Sequence, residues 1–181
     1  MPRAFVGALI ENDSVALKTI REATPTESKW YKAFKACEMA VSAARDRQYL
    51  GNALMLIREA LVEPPEDEEL LAILLRQATQ LSLHANRIGD ATRCCKLLKQ
   101  INRQRLRPEV LVHILYAEST LSYALGDFAQ AQALLTQALQ QAKGNKAQAA
   151  RFLEIDYKTI HVKLKYYGIS TRVGGDPVSE H

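Results

Sequence analysis

The segment from Ala142 to Ile169 reads AKGNKAQAARFLEIDYKTIHVKLKYYGI and has the clearest structural pattern in the chain. Gly144 follows a helix-forming segment and suits the left-handed conformation that ends a helix. Asn145 is a favourable N-cap for the next helix. Asp156 is likewise a favourable N-cap for the last helix, and Gly168 suits the C-terminal end of that helix. The spacing therefore predicts two short helices joined by a tight turn.

The second of these helices has two chemically different sides. Ile160 and Leu164 stand four residues apart and form a narrow apolar stripe. The other positions carry polar and basic side chains, namely Lys158, Thr159, His161, Lys163 and Lys165. Because a helix with one buried stripe and a basic exposed face fits the major groove of DNA, the pattern predicts a helix-turn-helix.

The distribution of charge supports this interpretation. Residues 137–169 contain six basic and two acidic residues, a net charge of +4, which equals the net charge of the whole chain. The rest of the chain is therefore neutral on balance. A positive charge confined to one element is expected of a surface that neutralises phosphates.

The same residues resemble the Fis family of bacterial DNA-binding domains. Domains of this family also form the C-terminus of many NtrC-like activators. The shared features are Gly144-Asn145, Ala149-Ala150, Ile155, Thr159-Ile160 and the run Lys163–Ile169. Glu154 stands where the turn of the family usually has Gly, and Tyr157 stands where an Arg is common. The preference of the family for particular DNA sequences therefore does not transfer to this chain.

The resemblance implies that the Asn145 end of one helix contacts phosphate and that the next helix faces the base edges. The candidate DNA-binding residues are Asn145, Lys146, Gln148, Asp156, Tyr157, Lys158, Thr159, His161, Val162, Lys163 and Lys165. Two assignments stay open: Asp156 either caps its helix or reads a base, and His161 either contacts DNA or has no role. The implied partner is double-stranded DNA, read by a homodimer because Fis-like units bind as dimers.

The preceding residues have a helix-forming composition and a recurring pattern. Ala, Leu, Gln, Glu and Arg dominate residues 1–142, and Gly is scarce. The segment that begins with Gly126-Asp127-Phe128 resembles the turn and second helix of a tetratricopeptide (TPR) repeat. Similar segments start at Gly89-Asp90, 37 residues earlier, and at Tyr49-Leu50. The apolar positions of the three copies are Ala53, Ile57 and Ala60; Cys94, Leu98 and Ile101; and Ala131, Leu135 and Ala138.

The predicted fold class is all-α. TPR-like helical-hairpin repeats are expected over residues 1–136, a Fis-type helix-turn-helix over 137–169 and a flexible tail over 170–181. No linker rich in Gly, Pro or Ser separates the first two regions, so residues 129–142 are predicted to form one helix that both share. The alternative for the first region is a general helical bundle in which the Gly-Asp turns are coincidental.

Three local segments also require an interpretation. The acidic segment Glu63–Glu69 is predicted to cap the helix that comes after it rather than to bind a metal. The basic linker with Arg103, Arg105 and Arg107 is either a solvated loop or a second phosphate contact. An aromatic group at helical spacing is predicted to lie in the core, namely Trp30, Tyr31 and Phe34.

The sequence carries no recognised catalytic or cofactor motif. It has no Gly-rich phosphate loop and no nucleophile or metalloprotease signature. Its histidines are scattered, at His84, His113, His161 and His181. Its cysteines, Cys37, Cys94 and Cys95, lack metal-binding spacing and suit reduced thiols. We therefore expect no enzyme activity, no catalytic residue, no metal and no cofactor.

The chain also lacks a run of 18 apolar residues and the apolar segment of a signal peptide, so no membrane partner is expected. The predicted location is cytoplasmic and associated with the nucleoid. The sequence favours a bacterial sequence-specific DNA-binding protein, a transcriptional regulator, whose TPR-like region dimerises or binds a protein partner. The alternative is a TPR-type adaptor or scaffold whose C-terminal helices do not bind DNA.

Overall fold

The computed structural model describes residues 2–11, 13–142 and 157–166, and these residues form helices joined by turns. The α-helices are α1 (Pro2–Glu11), α2 (Ser14–Glu22), α3 (Lys29–Arg45), α4 (Leu50–Ala60), α5 (Glu68–His84), α6 (Ile88–Leu98), α7 (Pro108–Ala124), α8 (Phe128–Gln141) and α9 (Tyr157–Tyr166). Short 3-10 turns lie at Arg47–Tyr49 and Arg103–Arg105. No strand occurs within these ranges, which confirms the all-α prediction for them.

Side-chain caps explain where several helices begin. The Oδ1 atom of Asp67 accepts a hydrogen bond from the N–H of Leu70 at 2.9 Å, at the start of α5. Asp127 does the same for Gln130 at the start of α8, at 3.0 Å. Each cap satisfies a backbone donor that the first turn of a helix leaves unpaired. The acidic segment before α5 thus supplies a cap, as the sequence predicted.

Three helical hairpins succeed one another along the chain. Helices α3 and α4, α5 and α6, and α7 and α8 pack as pairs, and α5 also packs against α3 and α7. The first helix of each pair has 17 residues. The second helix of each pair buries three residues at positions i, i+4 and i+7, namely Ala53, Ile57 and Ala60; Ala91, Cys95 and Leu98; and Ala131, Leu135 and Ala138.

The middle triplet differs from the one that the sequence predicted, because the alignment of the second repeat with the third was wrong. The sequence pattern matches Gly89 to Gly126, but Gly89 lies inside the first turn of α6. The residue that corresponds to Gly126 is Asn86, since each has a positive φ at the end of the first helix of its hairpin. The Gly-Asp pair is misleading because Asn also tolerates the left-handed conformation that a helix end requires. Cys95, rather than Cys94, is therefore the buried member of the triplet.

The interior of the described residues consists of two apolar clusters. The larger one joins α1 to α7, and in it the rings of Phe5 and Phe34 stack with centroids 3.9 Å apart. Trp30 is partly buried against this cluster, and Tyr31 is half-buried, so Phe34 fits the predicted core position best. The smaller cluster joins α7 and α8 and includes Leu164 of α9. Helix α9 is thereby attached to the last hairpin.

Candidate nucleic-acid interface

Helix α9 holds half of the basic residues of the segment 137–169. Its ten residues, YKTIHVKLKY, contain three lysines and no acidic residue. Within the part whose side chains are described, the exposed members that share one face are Lys158, His161, Val162 and Lys165. Their spacing is i, i+3, i+4 and i+7, which places them in a single row along one side of a helix. We call these four residues the α9 stripe.

Leu164 gives α9 a buried side away from the stripe. Its side chain is only 2% exposed and belongs to the apolar cluster with Leu139 and Ala142 from the end of α8. The sequence predicted this inward position for Leu164. A buried apolar anchor beside an exposed row that carries two lysines is the arrangement that a groove-binding helix needs.

A second contact lies at the end of α9, and the sequence did not reveal it. The Tyr166 ring meets the Tyr123 ring edge to face, with centroids 6.2 Å apart and planes inclined by 73°. Tyr123 in turn meets Phe128 at 5.4 Å and 67°. Tyr123 lies in the last turn of α7 and Phe128 begins α8, so the two flank the turn of one hairpin. We call these three residues the aromatic trio.

Several predicted contact residues lie outside the residues that the structure describes. These are Asn145, Lys146, Gln148 and Asp156. Tyr157, Thr159 and Lys163 belong to α9, but their side chains are likewise outside the described part. Their roles stay predictions.

The basic linker between α6 and α7 is tied to buried carboxylates. The Arg107 guanidinium lies 2.9 Å from a carboxylate oxygen of Glu69, and the Arg107 N–H also donates to Glu69 at 3.0 Å. Arg103 donates to Glu118 at 2.6 Å. Both carboxylates are almost completely buried. The two arginines thus join the linker to α5 and α7, which favours a structural role over a second phosphate contact; Arg105 alone of the three is exposed.

Two buried titratable groups of the helical region have shifted pKa values. Burial raises the pKa of the Cys95 thiol to about 11, so this cysteine is a neutral core residue at ordinary pH. Burial, together with the charge of Arg76, lowers the pKa of His113 well below its usual value. Among the described residues, no group of His, Cys, Asp and Glu side chains is arranged to hold a metal ion. The part of the chain that the structure covers also has no helix that is both long and apolar enough to cross a membrane.

The fold and this interface define a helical protein with a basic helix mounted on its last hairpin. Residues 132–167 match the family model of the bacterial regulatory proteins of the Fis family. The matched stretch starts inside α8, five residues before the predicted boundary at 137, and includes all of α9. The match supports a Fis-type helix-turn-helix, and such a domain suggests a DNA-binding regulator. Neither the curated proteins nor the solved structures contain a significant match to the chain.

Proposed function

We propose that this chain is a bacterial sequence-specific DNA-binding protein that regulates transcription, with α9 as the helix that enters the major groove. The observation that carries the proposal is the α9 stripe, a row of four exposed residues that includes two lysines, on a helix anchored by Leu164. It lies inside the stretch that matches the Fis family model. Phosphate contacts position such a helix, and contacts to base edges give it specificity.

The ends and the middle of the stripe suit different tasks. Lys158 and Lys165 are seven residues apart, or about 10.5 Å along a helix, which is close to the width of the major groove, about 12 Å. We propose that these two lysines approach phosphates on both walls of the groove. His161 and Val162 lie between them, where His161 has ring nitrogens for a base edge and Val162 has methyl groups that suit a thymine methyl.

The remaining candidates complete the proposed interface. Helix N-termini bind phosphate well, because their free N–H groups and dipole favour anions. We assign phosphate contacts to Asn145, Lys146, Gln148 and Lys163. We assign groove contacts to Asp156, Tyr157 and Thr159. These assignments rest on the resemblance to the Fis family.

For the preceding region we propose a TPR-like array of hairpins, over residues 1–136, that dimerises or binds a protein partner. Its support is the repetition of 17-residue first helices and of buried triplets that begin at Ala53, Ala91 and Ala131. A homodimer would present two α9 helices to two half-sites, which for helix-turn-helix dimers lie one helical turn, about 34 Å, apart. The proposed location is the bacterial cytoplasm, on the nucleoid.

The direct test is selection of bound sequences from a random duplex library by the full chain. The expected result is an enriched motif with two half-sites about one helical turn apart. The selected duplex should bind at least about 1,000-fold more tightly than a random one. A library that shows no enrichment, together with no binding to any duplex at low salt, would contradict the proposal. That result would favour a protein-binding adaptor.

A further inference from the structure

The aromatic trio joins the end of α9 to the turn of the α7–α8 hairpin. Tyr123 is the middle ring and contacts both others at distances and inclinations typical of edge-to-face pairs. Phe128 is brought beside Tyr123 by a tight turn in which the N–H of Gly126 donates to the carbonyl oxygen of Tyr123 at 3.0 Å. Gly126 has a φ of 81°, a conformation that favours glycine. The turn thus holds two rings side by side, and Tyr166 packs against one of them.

The three aromatic rings lie at the surface and are exposed to solvent. Tyr123 is 42% exposed, Phe128 is 50% exposed and Tyr166 is 67% exposed. They therefore add little to the buried core, whose contact with α9 is made by Leu164. Their contribution is a directional contact at the surface of the hairpin, beside the helix that carries the α9 stripe.

Two contacts on α9 fix its rotation about its own axis. Successive helical residues turn by about 100°, so Leu164 and Tyr166 project from the helix about 200° apart. One point of contact, such as Leu164, does not by itself define the rotation of a helix about its axis. The contact between Tyr166 and Tyr123 adds a second point on the opposite side, which restrains this rotation and so the direction in which the α9 stripe faces. A misdirected stripe loses base contacts before it loses phosphate contacts, because base contacts depend more strongly on geometry.

We propose that Tyr123, supported by Phe128, is a positioning residue that sets the rotation of α9 for reading DNA. This inference rests on the proposed function. Both residues precede the stretch 132–167 that matches the Fis family, so the orientation of the DNA-binding helix is fixed from outside the matched stretch. The α7–α8 turn is in this sense part of the DNA-binding unit.

The test uses the full chain with Tyr123→Ala, Tyr166→Ala, the double variant and Tyr123→Phe. Tyr49→Ala is the matched control, since Tyr49 is 38% exposed and lies on the first hairpin. One readout is amide hydrogen exchange of residues 157–166 in the free protein. The other is affinity for the selected duplex and for a random duplex.

Tyr123→Ala should speed exchange in residues 157–166 while leaving residues 68–84 unchanged. It should weaken binding to the selected duplex by about threefold to tenfold, the affinity equivalent of one aromatic pair, and binding to the random duplex by less than about twofold. Tyr123→Phe keeps the ring and should behave as wild type. Tyr166→Ala should add no further loss to Tyr123→Ala, because both break the same contact.

The proposal is overturned if Tyr123→Ala matches Tyr49→Ala in both readouts, or if Tyr166→Ala adds a full second loss. Should Tyr123→Ala fail to fold, Tyr123→Leu keeps apolar bulk without the ring and is read by the same criteria. If the wild type binds no duplex, the proposed function fails, and the exchange of residues 157–166 alone decides whether Tyr123 positions α9.

Discussion

Asn86 and Gly126 adopt the same left-handed backbone conformation, with φ values of 57° and 81°, at the ends of α5 and α7. In both turns the next N–H reaches back five residues, from Arg87 to Ser82 at 2.7 Å and from Asp127 to Ser122 at 2.9 Å. This bond and a left-handed residue are the marks of a Schellman motif. Two hairpins are therefore closed by one kind of turn, and the second turn carries the aromatic trio.

Substitution of the left-handed residue should destabilise either turn. Gly126→Ala is expected to lower the free energy of unfolding by about 1 kcal/mol, because an L-residue is strained at a positive φ. The added Cβ would meet nothing within 4 Å, so the cost comes from the backbone alone. Urea unfolding of the full chain measures the change.

Gly89→Ala is the matched control, since Gly89 lies in α6 with equally open space around a Cβ. The same substitution there should stabilise the chain by about 0.5–1 kcal/mol, because Ala is the better helix former. Equal effects at the two glycines would contradict the turn assignment.

The pair Glu69–Arg107 should stabilise the stacking of adjacent hairpins. Glu69→Ala removes the acceptor of both the Arg107 guanidinium and the Arg107 N–H. We expect a loss of about 2–3 kcal/mol, below the full cost of breaking a buried pair because Arg107 keeps some contact with water. Thermal and urea unfolding report the loss.

The comparison is Glu22→Ala, which breaks the exposed pair with Lys18 at 3.9 Å. An exposed i,i+4 pair contributes only about 0.3–0.5 kcal/mol. If both variants lose the same stability, Glu69 does not tie the linker to α5.

His113 should make the chain sensitive to acid. It is buried in α7, where burial and then the charge of Arg76 lower its pKa well below the usual 6.5. In the unfolded chain the ring binds a proton as the pH falls through about 6.5, whereas in the folded chain it does not. The free energy of unfolding is therefore highest above this pH. Below it, the free energy of unfolding falls by up to about 1.4 kcal/mol per pH unit.

The measurement is the free energy of unfolding from pH 8 to pH 5.5, by urea, in wild type and in His113→Leu. The variant removes the titrating ring, so the difference between the two chains should change with pH only below about 6.5. A difference that stays constant across the range would show that His113 does not couple folding to protonation. Carboxylates affect both chains alike and cancel in the comparison.

Local signals in the sequence predicted much of this structure. The cap that the acidic segment supplies to α5, the turn at Gly126 and the inward position of Leu164 agree with residue type and helical spacing. The charge of α9 is visible in the same way. Each of these features involves residues that are close in the chain, where propensity and periodicity are informative.

Contacts between distant elements could not be predicted from the same signals. Glu69 and Arg107 are 38 residues apart. The local sequence predicted a helix cap around Glu69 and either a solvated loop or a phosphate contact around Arg107, but no pairing of the two. Tyr123 and Tyr166 meet only because the chain returns to the last hairpin. The predicted register of the middle repeat was also wrong, since Asn86 ends the helix where the pattern pointed to Gly89. Tertiary packing determines such contacts between distant residues, and a single sequence does not reveal how its helices pack.

The salt dependence of duplex binding tests whether the DNA affinity of the chain lies in α9. In the full chain, Lys158→Ala with Lys165→Ala should lower the slope of log K against log salt concentration by about 2, since each phosphate contact contributes about 0.9. The control is Lys96→Ala with Lys99→Ala, two exposed lysines on or just after α6, which should leave the slope unchanged. A slope that is the same in the α9 variant as in the wild type would contradict the claim.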